Sequence, residues 1–131
     1  MSDPIMNLDE ILASLSVSRR GDFVYATVEA VPDGIPVLAA IWETEGLSVV
    51  VPVEAAEKLG TPAEPVFTCL TLDVYSALES VGLTATVATE LADHGISCNV
   101  IAGLHHDHLL VPVTRADEAV RLLEALATKL F

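Results

Sequence analysis

The sequence predicts an α+β fold: a mostly antiparallel sheet with helices packed on it. Three stretches carry that expectation. Residues 64–112 (EPVFTCLTLDVYSALESVGLTATVATELADHGISCNVIAGLHHDHLLVP) read as strand, helix, strand, hairpin, strand. A helical crossover returns the chain parallel to the first of these strands, and a tight Gly-containing turn sends the third back between or beside them. Residues 23–30 (FVYATVEA) alternate Phe23, Tyr25, Thr27 and Glu29 with Val24, Ala26, Val28 and Ala30, the period of a strand. The last residues repeat Val120, Leu123, Ala127 and Leu130 at helical spacing.

In chain order, Asn7 followed by Glu10 resembles a helix cap, and Leu8, Ile11, Leu12 and Leu15 continue with a helical period. The polar run SVSRRGD is expected to break that helix before the strand of residues 23–30. Residues 37–42 and 47–51 form two more strands, with ETEG closed by Gly46 as their hairpin turn. A short helix over residues 53–59 then ends at Gly60, with Pro62 just beyond. TPAEP, residues 61–65, reads as a linker between a module of residues 1–62 and one of residues 63–131. Trp42, the single tryptophan, is expected as a core or interface filler rather than a ligand-stacking ring.

Beyond the linker, residues 66–74 (VFTCLTLDV) are largely apolar on both faces, which predicts a central strand buried on both sides. Leu83, Val87 and Leu91, with Ala85, Ala88 and Ala92, form a helix packed on the sheet. His94 and Gly95 end it, the imidazole sitting at the negative end of the dipole. Ile96, Cys98 and Val100 open the second strand, AGLHHD turns, and HLLVPV is the third. Thr114 with Asp117 resembles a capping box for the final helix. A weak internal repeat links VVPVEAAEKL (residues 50–59) to LVPVTRADEAVRLL (residues 110–123); both read as strand, Pro, Val, helix, and two related modules in tandem follow from it.

Composition narrows function. A length of 131 residues suffices for one well-filled core, or for two very small modules that share one, and a hydrophobic content of 52% with a mean hydropathy of +0.55 implies extensive burial and an apolar subunit interface. No uninterrupted apolar run reaches the roughly 18 residues of a membrane span. The acidic start MSDPIMNLDE is unlike a signal peptide, so a cytoplasmic protein is expected. Nineteen acids against six Lys plus Arg give a net charge of −13 with neither half basic, which disfavours nucleic acid as a partner. Cys69 and Cys98 lack CxxC spacing and read as buried free thiols.

The run GLTATVATELADHGISCNVIAG followed by HHDHLLVP resembles an ACT domain, the small-molecule-sensing module of amino-acid metabolism. In that family a glycine precedes the first helix and a Gly-Ile pair opens the second strand; here these are Gly82 and Gly95-Ile96. DFVYATVEA, ETEGLSVVVP, YSALESVGLTA, GISCNVIAG and HDHLLVP together are similar to the small bacterial tandem-ACT proteins related to the CASTOR-type arginine sensors. The resemblance covers nearly the whole chain and implies ferredoxin-like βαββαβ modules sharing one sheet, a regulatory role and a dimer. Two departures accompany it. The first half lacks a glycine-led crossover helix, and no final strand follows the last helix, so the first half or a partner chain must supply that strand.

One sheet edge collects the exit of the first strand (residues 75–84), the exit of the second (residues 99–103) and the entry of the third (residues 105–108). A free amino acid needs donors for its carboxylate and acceptors for its ammonium. Unpaired N–H groups of Gly82, Leu83 and Thr84, at the positive end of a helix, suit the carboxylate. Asp107 suits the ammonium, at the place where the resemblance to the CASTOR-type sensors puts an acid; a solvated turn residue is the alternative. Asn99 can donate and accept, and the carbonyls of Val100 and Ile101 are expected nearby. His106 is either a pocket residue or part of the turn.

His105, His106, Asp107 and His108 alternate between two strand faces, so at most two point together, and zinc needs three or four ligands; no metal and no cofactor are expected. Ser76, Ser80 and Ser97 have no GxSxG context and no thiol has a base partner, so no catalytic role is expected. The expectation is a homodimeric, non-enzymatic regulatory protein that binds a small molecule, an amino acid by resemblance. A structural protein with a vestigial pocket that pairs with another ACT-like chain is the alternative.

Overall fold

The computed structural model describes residues 8–74 and 82–129. They form α1 (Leu8–Ala13), β1 (Val17–Val28), β2 (Ala39–Glu43), β3 (Gly46–Pro52), α2 (Ala56–Leu59), β4 (Phe67–Leu72), α3 (Leu83–Asp93), β5 (Asn99–Ala102), β6 (Asp107–Pro112) and α4 (Ala116–Lys129). The strand order is β2-β3-β1-β4-β6-β5, so the fold is α+β as expected and β6 runs between β4 and β5. Asn7, Tyr75, Ser76, Ser80 and Leu130, invoked above, lie outside the described residues. Two compact units are present: Gly21–Phe67, and the residues before Gly21 together with those after Phe67.

In the Gly21–Phe67 unit, β3 pairs antiparallel with β1 and with β2, matching Val24 to Val51, Ala26 to Val49 and Trp42 to Leu47. Alternation sends Val24, Ala26, Leu47, Val49 and Val51 inward, where Ala55 and Ala56 cover them. Glu43 pairs with Gly46, leaving Thr44 and Glu45 as the hairpin turn. Trp42 is not a core residue: it is 72% exposed although Leu47 opposite it is 1% exposed. β2 lies at the edge of the sheet with a single paired neighbour, β3, and the ring is left uncovered.

In the other unit, β4 is buried on both faces, Thr68 to Leu72 each at 1% exposure or less. Leu70, Leu72 and Val74 meet Leu83, Val87 and Leu91 of α3 and Ala119 and Leu123 of α4 in one core that α1 joins through Leu12. β5 and β6 pair antiparallel, Val100 facing Leu109 and Ala102 facing Asp107.

Three local expectations are corrected. The helix ends at Ala13, ahead of SVSRRGD, but that run is strand rather than a loop before residue 23, because β1 starts at Val17. The Ser16 carbonyl accepts the Asp73 N–H at 2.8 Å, and the Ser18 hydroxyl donates to the Asp73 carboxylate, so pairing overrides weak strand propensity. The second strand begins at Asn99 rather than Ile96. Gly95 N–H donates to the Ala92 carbonyl and Ile96 N–H to the Leu91 carbonyl, both at 3.0 Å, a Schellman ending that takes Ile96 into the cap and buries it. Thr114 is not a helix cap: a 3-10 turn, Val113–Arg115, leads into α4 from Pro112 with no side-chain cap bond.

The internal repeat is close in backbone terms. Pro52 (φ −55°, ψ 144°) opens a 3-10 turn, Val53–Ala55, into α2. Pro112 (φ −55°, ψ 135°) opens its counterpart into α4.

Candidate functional site

The end of β4 and the β5–β6 hairpin are joined by two side-chain contacts. On the face of β4 turned away from the helices, Thr71 Oγ1 lies 2.8 Å from His108 Nδ1. Beyond the last paired residue, His106 Nδ1 lies 3.4 Å from the Val74 carbonyl oxygen. The hairpin closes on itself through the Gly103 N–H, which donates to the His106 carbonyl at 2.9 Å. A β-carbon on Gly103 would stand 3.0 Å from that oxygen and 3.3 Å from His108 Nε2, so glycine permits the tight closure.

Five of the residues expected at the site share this hairpin. Asn99 is exposed opposite Leu110, Val100 packs toward the core opposite Leu109, and Ile101 faces His108 across the ladder. His106 and Asp107 are half-buried at its turn end. Asp107 continues the row of Leu109 and Val111, whose side chains enter the helix-covered core. It is therefore placed at the margin of an apolar layer with Ala102 as its cross-strand neighbour.

The other three sit at the start of α3. Gly82 caps the helix at φ 103° with no side-chain cap bond, and its carbonyl accepts the Thr86 N–H at 2.9 Å. A β-carbon there would lie 3.0 Å from Leu8 Cδ2, so Gly82 lies close against the first residue of α1. Leu83 is 3% exposed in the core and offers a ligand only its backbone, while Thr84 is exposed. Residues 75–81, which link β4 to Gly82, lie outside the described residues.

Electrostatics single out His108. Burial pushes its imidazole below the usual 6.5, Arg20 and His106 push the same way, and Asp107 opposes them. Burial raises the Cys69 thiol, against smaller opposing effects of a hydrogen bond with Thr71 and of Arg20. Cys69, Thr71, His108 and Arg20 thus make a polar cluster that sequence reasoning missed. The available signal was a threonine inside a strand buried on both faces, since a buried hydroxyl must find a partner. Among the described residues no group of three or more His, Cys, Asp or Glu is placed to hold a metal ion, and no helix is long and apolar enough to cross a membrane.

His94 has the structural place expected for it. It ends α3, with Nδ1 3.0 Å from the Glu90 carbonyl oxygen and 3.9 Å from the Glu90 carboxylate.

Two family models, each described as an ACT domain, match this chain, one over residues 3–69 and the other over residues 65–125. No curated protein matches it. Among solved structures, a Vibrio cholerae protein described as of unknown function and a possible transport protein is 40% identical. Its TM-score is 0.80, over 92% of this chain and 95% of that one. An Agrobacterium tumefaciens protein is 21% identical with a TM-score of 0.67, over 86% of this chain and 89% of that one. The ligand-free regulatory subunit of aspartate kinase from Thermus thermophilus is 13% identical with a TM-score of 0.64, over 84% of this chain and 95% of that one. The last two likenesses are likenesses of fold. With one family match on each side of the segment 65–69, this chain belongs to the ACT domain family and carries the domain twice in tandem.

Proposed function

We propose that this protein is a non-enzymatic regulatory protein that binds a small molecule, an amino acid, where the β5–β6 hairpin meets the exit of β4. The observation that carries this reading is the approach of His106 Nδ1 to the Val74 carbonyl, which holds the hairpin against the strand whose continuation leads to Gly82. Backbone N–H groups of Gly82, Leu83 and Thr84 would take the ligand carboxylate. Asp107, with Asn99, His106 and the carbonyls of Val100 and Ile101, would take the ammonium and polar atoms.

The same proposal makes the protein a cytoplasmic homodimer, kin to the CASTOR-type arginine sensors, built from a reduced module over residues 1–62 and a fuller one over residues 63–131. The two family matches support that division. The regulatory role of the Thermus thermophilus subunit supports the functional class.

Calorimetry with the twenty amino acids, on wild type and Asp107→Ala, tests it. Heat from one amino acid, lost or weakened by about tenfold or more in the variant, is expected for a charge-assisted contact. No heat from any of them sinks the proposal. A second reading, an interaction protein with a vestigial pocket that pairs with another ACT-like chain, is favoured by Ile41 and Trp42, 59% and 72% exposed on β2. It expects Asp107→Ala to leave partner binding unchanged.

A further inference from the structure

A cavity of about 270 Å³ opens within the Gly21–Phe67 unit, lined by the apolar Ile35, Pro36, Pro52 and Ala55 and by Glu54 and Lys58. The internal repeat gives its lining a counterpart in the second copy. Setting Pro52 on Pro112 puts Ala55 where Arg115 stands and Lys58 where Glu118 stands. In the second copy the Arg115 Nη2 group donates to the His94 carbonyl at 2.9 Å, at the end of α3, and its Nε donates to Glu118 at 2.8 Å. In the first copy the connection from β1 to β2 carries no helix, and Ala55 ends at its β-carbon. At position 55 of the first copy nothing corresponds to the guanidinium of Arg115, and the hollow opens beside that position.

Its charges specify a ligand. Residues 21–67 contain one cation, Lys58, among eight acids: Asp22, Glu29, Asp33, Glu43, Glu45, Glu54, Glu57 and Glu64. Arg19 and Arg115 are held in ion pairs with Asp117 and Glu118, whereas Lys58 has no ion pair among the described residues. An uncommitted ammonium beside an apolar hollow recruits a carboxylate. Glu54, one helical turn earlier, would repel a plain anion, so the ligand must also carry a positive group. At about 270 Å³ the hollow is slightly below the roughly 300 Å³ at which small-molecule pockets begin, which suits a small ligand.

We propose that this cavity is a second ligand site, independent of the β5–β6 hairpin, for a small apolar α-amino acid. Its carboxylate lies on Lys58, its ammonium at Glu54, and its side chain against Ile35, Pro36, Pro52 and Ala55. Both charged groups are exposed, so each contact contributes modestly and the apolar body sets selectivity.

Titration of the ¹⁵N-labelled protein with L-leucine, L-valine and isovalerate, which is leucine without its ammonium, tests this. L-leucine should shift the amides of Ile35, Ala55 and Lys58 saturably. Lys58→Met, on an exposed residue, should weaken binding about two- to fivefold, the range of an exposed charge pair. Ala55→Arg, which restores the side chain of the other repeat, should abolish it. Asp107→Ala should leave these shifts intact, which separates this site from the hairpin site. No saturable shift with leucine or valine, an undiminished response in Lys58→Met, or isovalerate binding as well as leucine would each overturn the proposal.

Discussion

Thr71 on β4 and His108 on β6 are joined through Oγ1 and Nδ1 at 2.8 Å, on the sheet face opposite the one where Leu70, Leu72, Leu109 and Val111 meet the helices. The contact ties the hairpin to the strand buried on both sides. It also places a titratable ring where burial, Arg20 and His106 all favour its neutral form, with only Asp107 opposing.

Stability should therefore fall on acidification. With the folded-state value below the unfolded 6.5, the unfolded chain takes up the proton first. The stabilising contribution is fully present above about pH 6.5 and is lost as pH falls towards the folded-state value. Melting temperatures of wild type and His108→Gln, compared between about pH 7.5 and about pH 5.5, should converge as pH drops. A gap that widens instead would refute the assignment.

The two thiols should react in sequence. Cys69 is at 0% exposure and Cys98 is half-buried; burial raises both above the usual thiol value. A disulfide reagent at about neutral pH should show a fast phase that Cys98→Ser removes and a slow phase limited by opening of the fold. Equal rates at the two cysteines would mean that β4 is less enclosed than described.

Two glycines should respond differently to alanine. Gly60 ends α2 at φ 65° with no heavy atom within 4 Å of a new β-carbon, so Gly60→Ala should cost about 1 kcal/mol, all of it backbone. At Gly103 the new methyl meets the His106 carbonyl and the His108 ring, and crowding of about 1–3 kcal/mol is expected. Urea unfolding reads both. Gly103→Ala alone should also change the acid sensitivity assigned to His108.

Truncation should separate core from surface. Leu91→Ala, at 0% exposure between α3 and the sheet, should cost about 2–5 kcal/mol in urea unfolding. Trp42→Ala should change stability by no more than about 0.5 kcal/mol in the isolated chain.

Much of this fold could be read from local pattern. The continuous β-formers from Val66 to Leu72 identify a strand covered on both faces, His94-Gly95-Ile96 identifies a helix ending, and the two Val-Pro-Val runs identify the repeat. What could not be read depends on distant partners. Nothing within SVSRRGD announces that Asp73 will pair with Ser16 and Ser18, and Ile96 keeps strand alternation while serving a helix cap. The candidate site divides the same way. Asn99, Val100, Ile101, His106 and Asp107 come together through one hairpin register, whereas Gly82 lies against Leu8 of α1, a residue more than seventy positions earlier. The cavity beside Ala55 and Lys58 left no motif, because its lining comes from two separate segments, residues 34–36 and 52–58, that only the fold brings together.

The exposure of Trp42 makes the molecule optically unusual. Its lone indole already sits in water when the chain is folded, so tryptophan emission will report denaturation poorly. The same emission should move to the blue as soon as anything settles over β2, giving an intrinsic, label-free beacon for association.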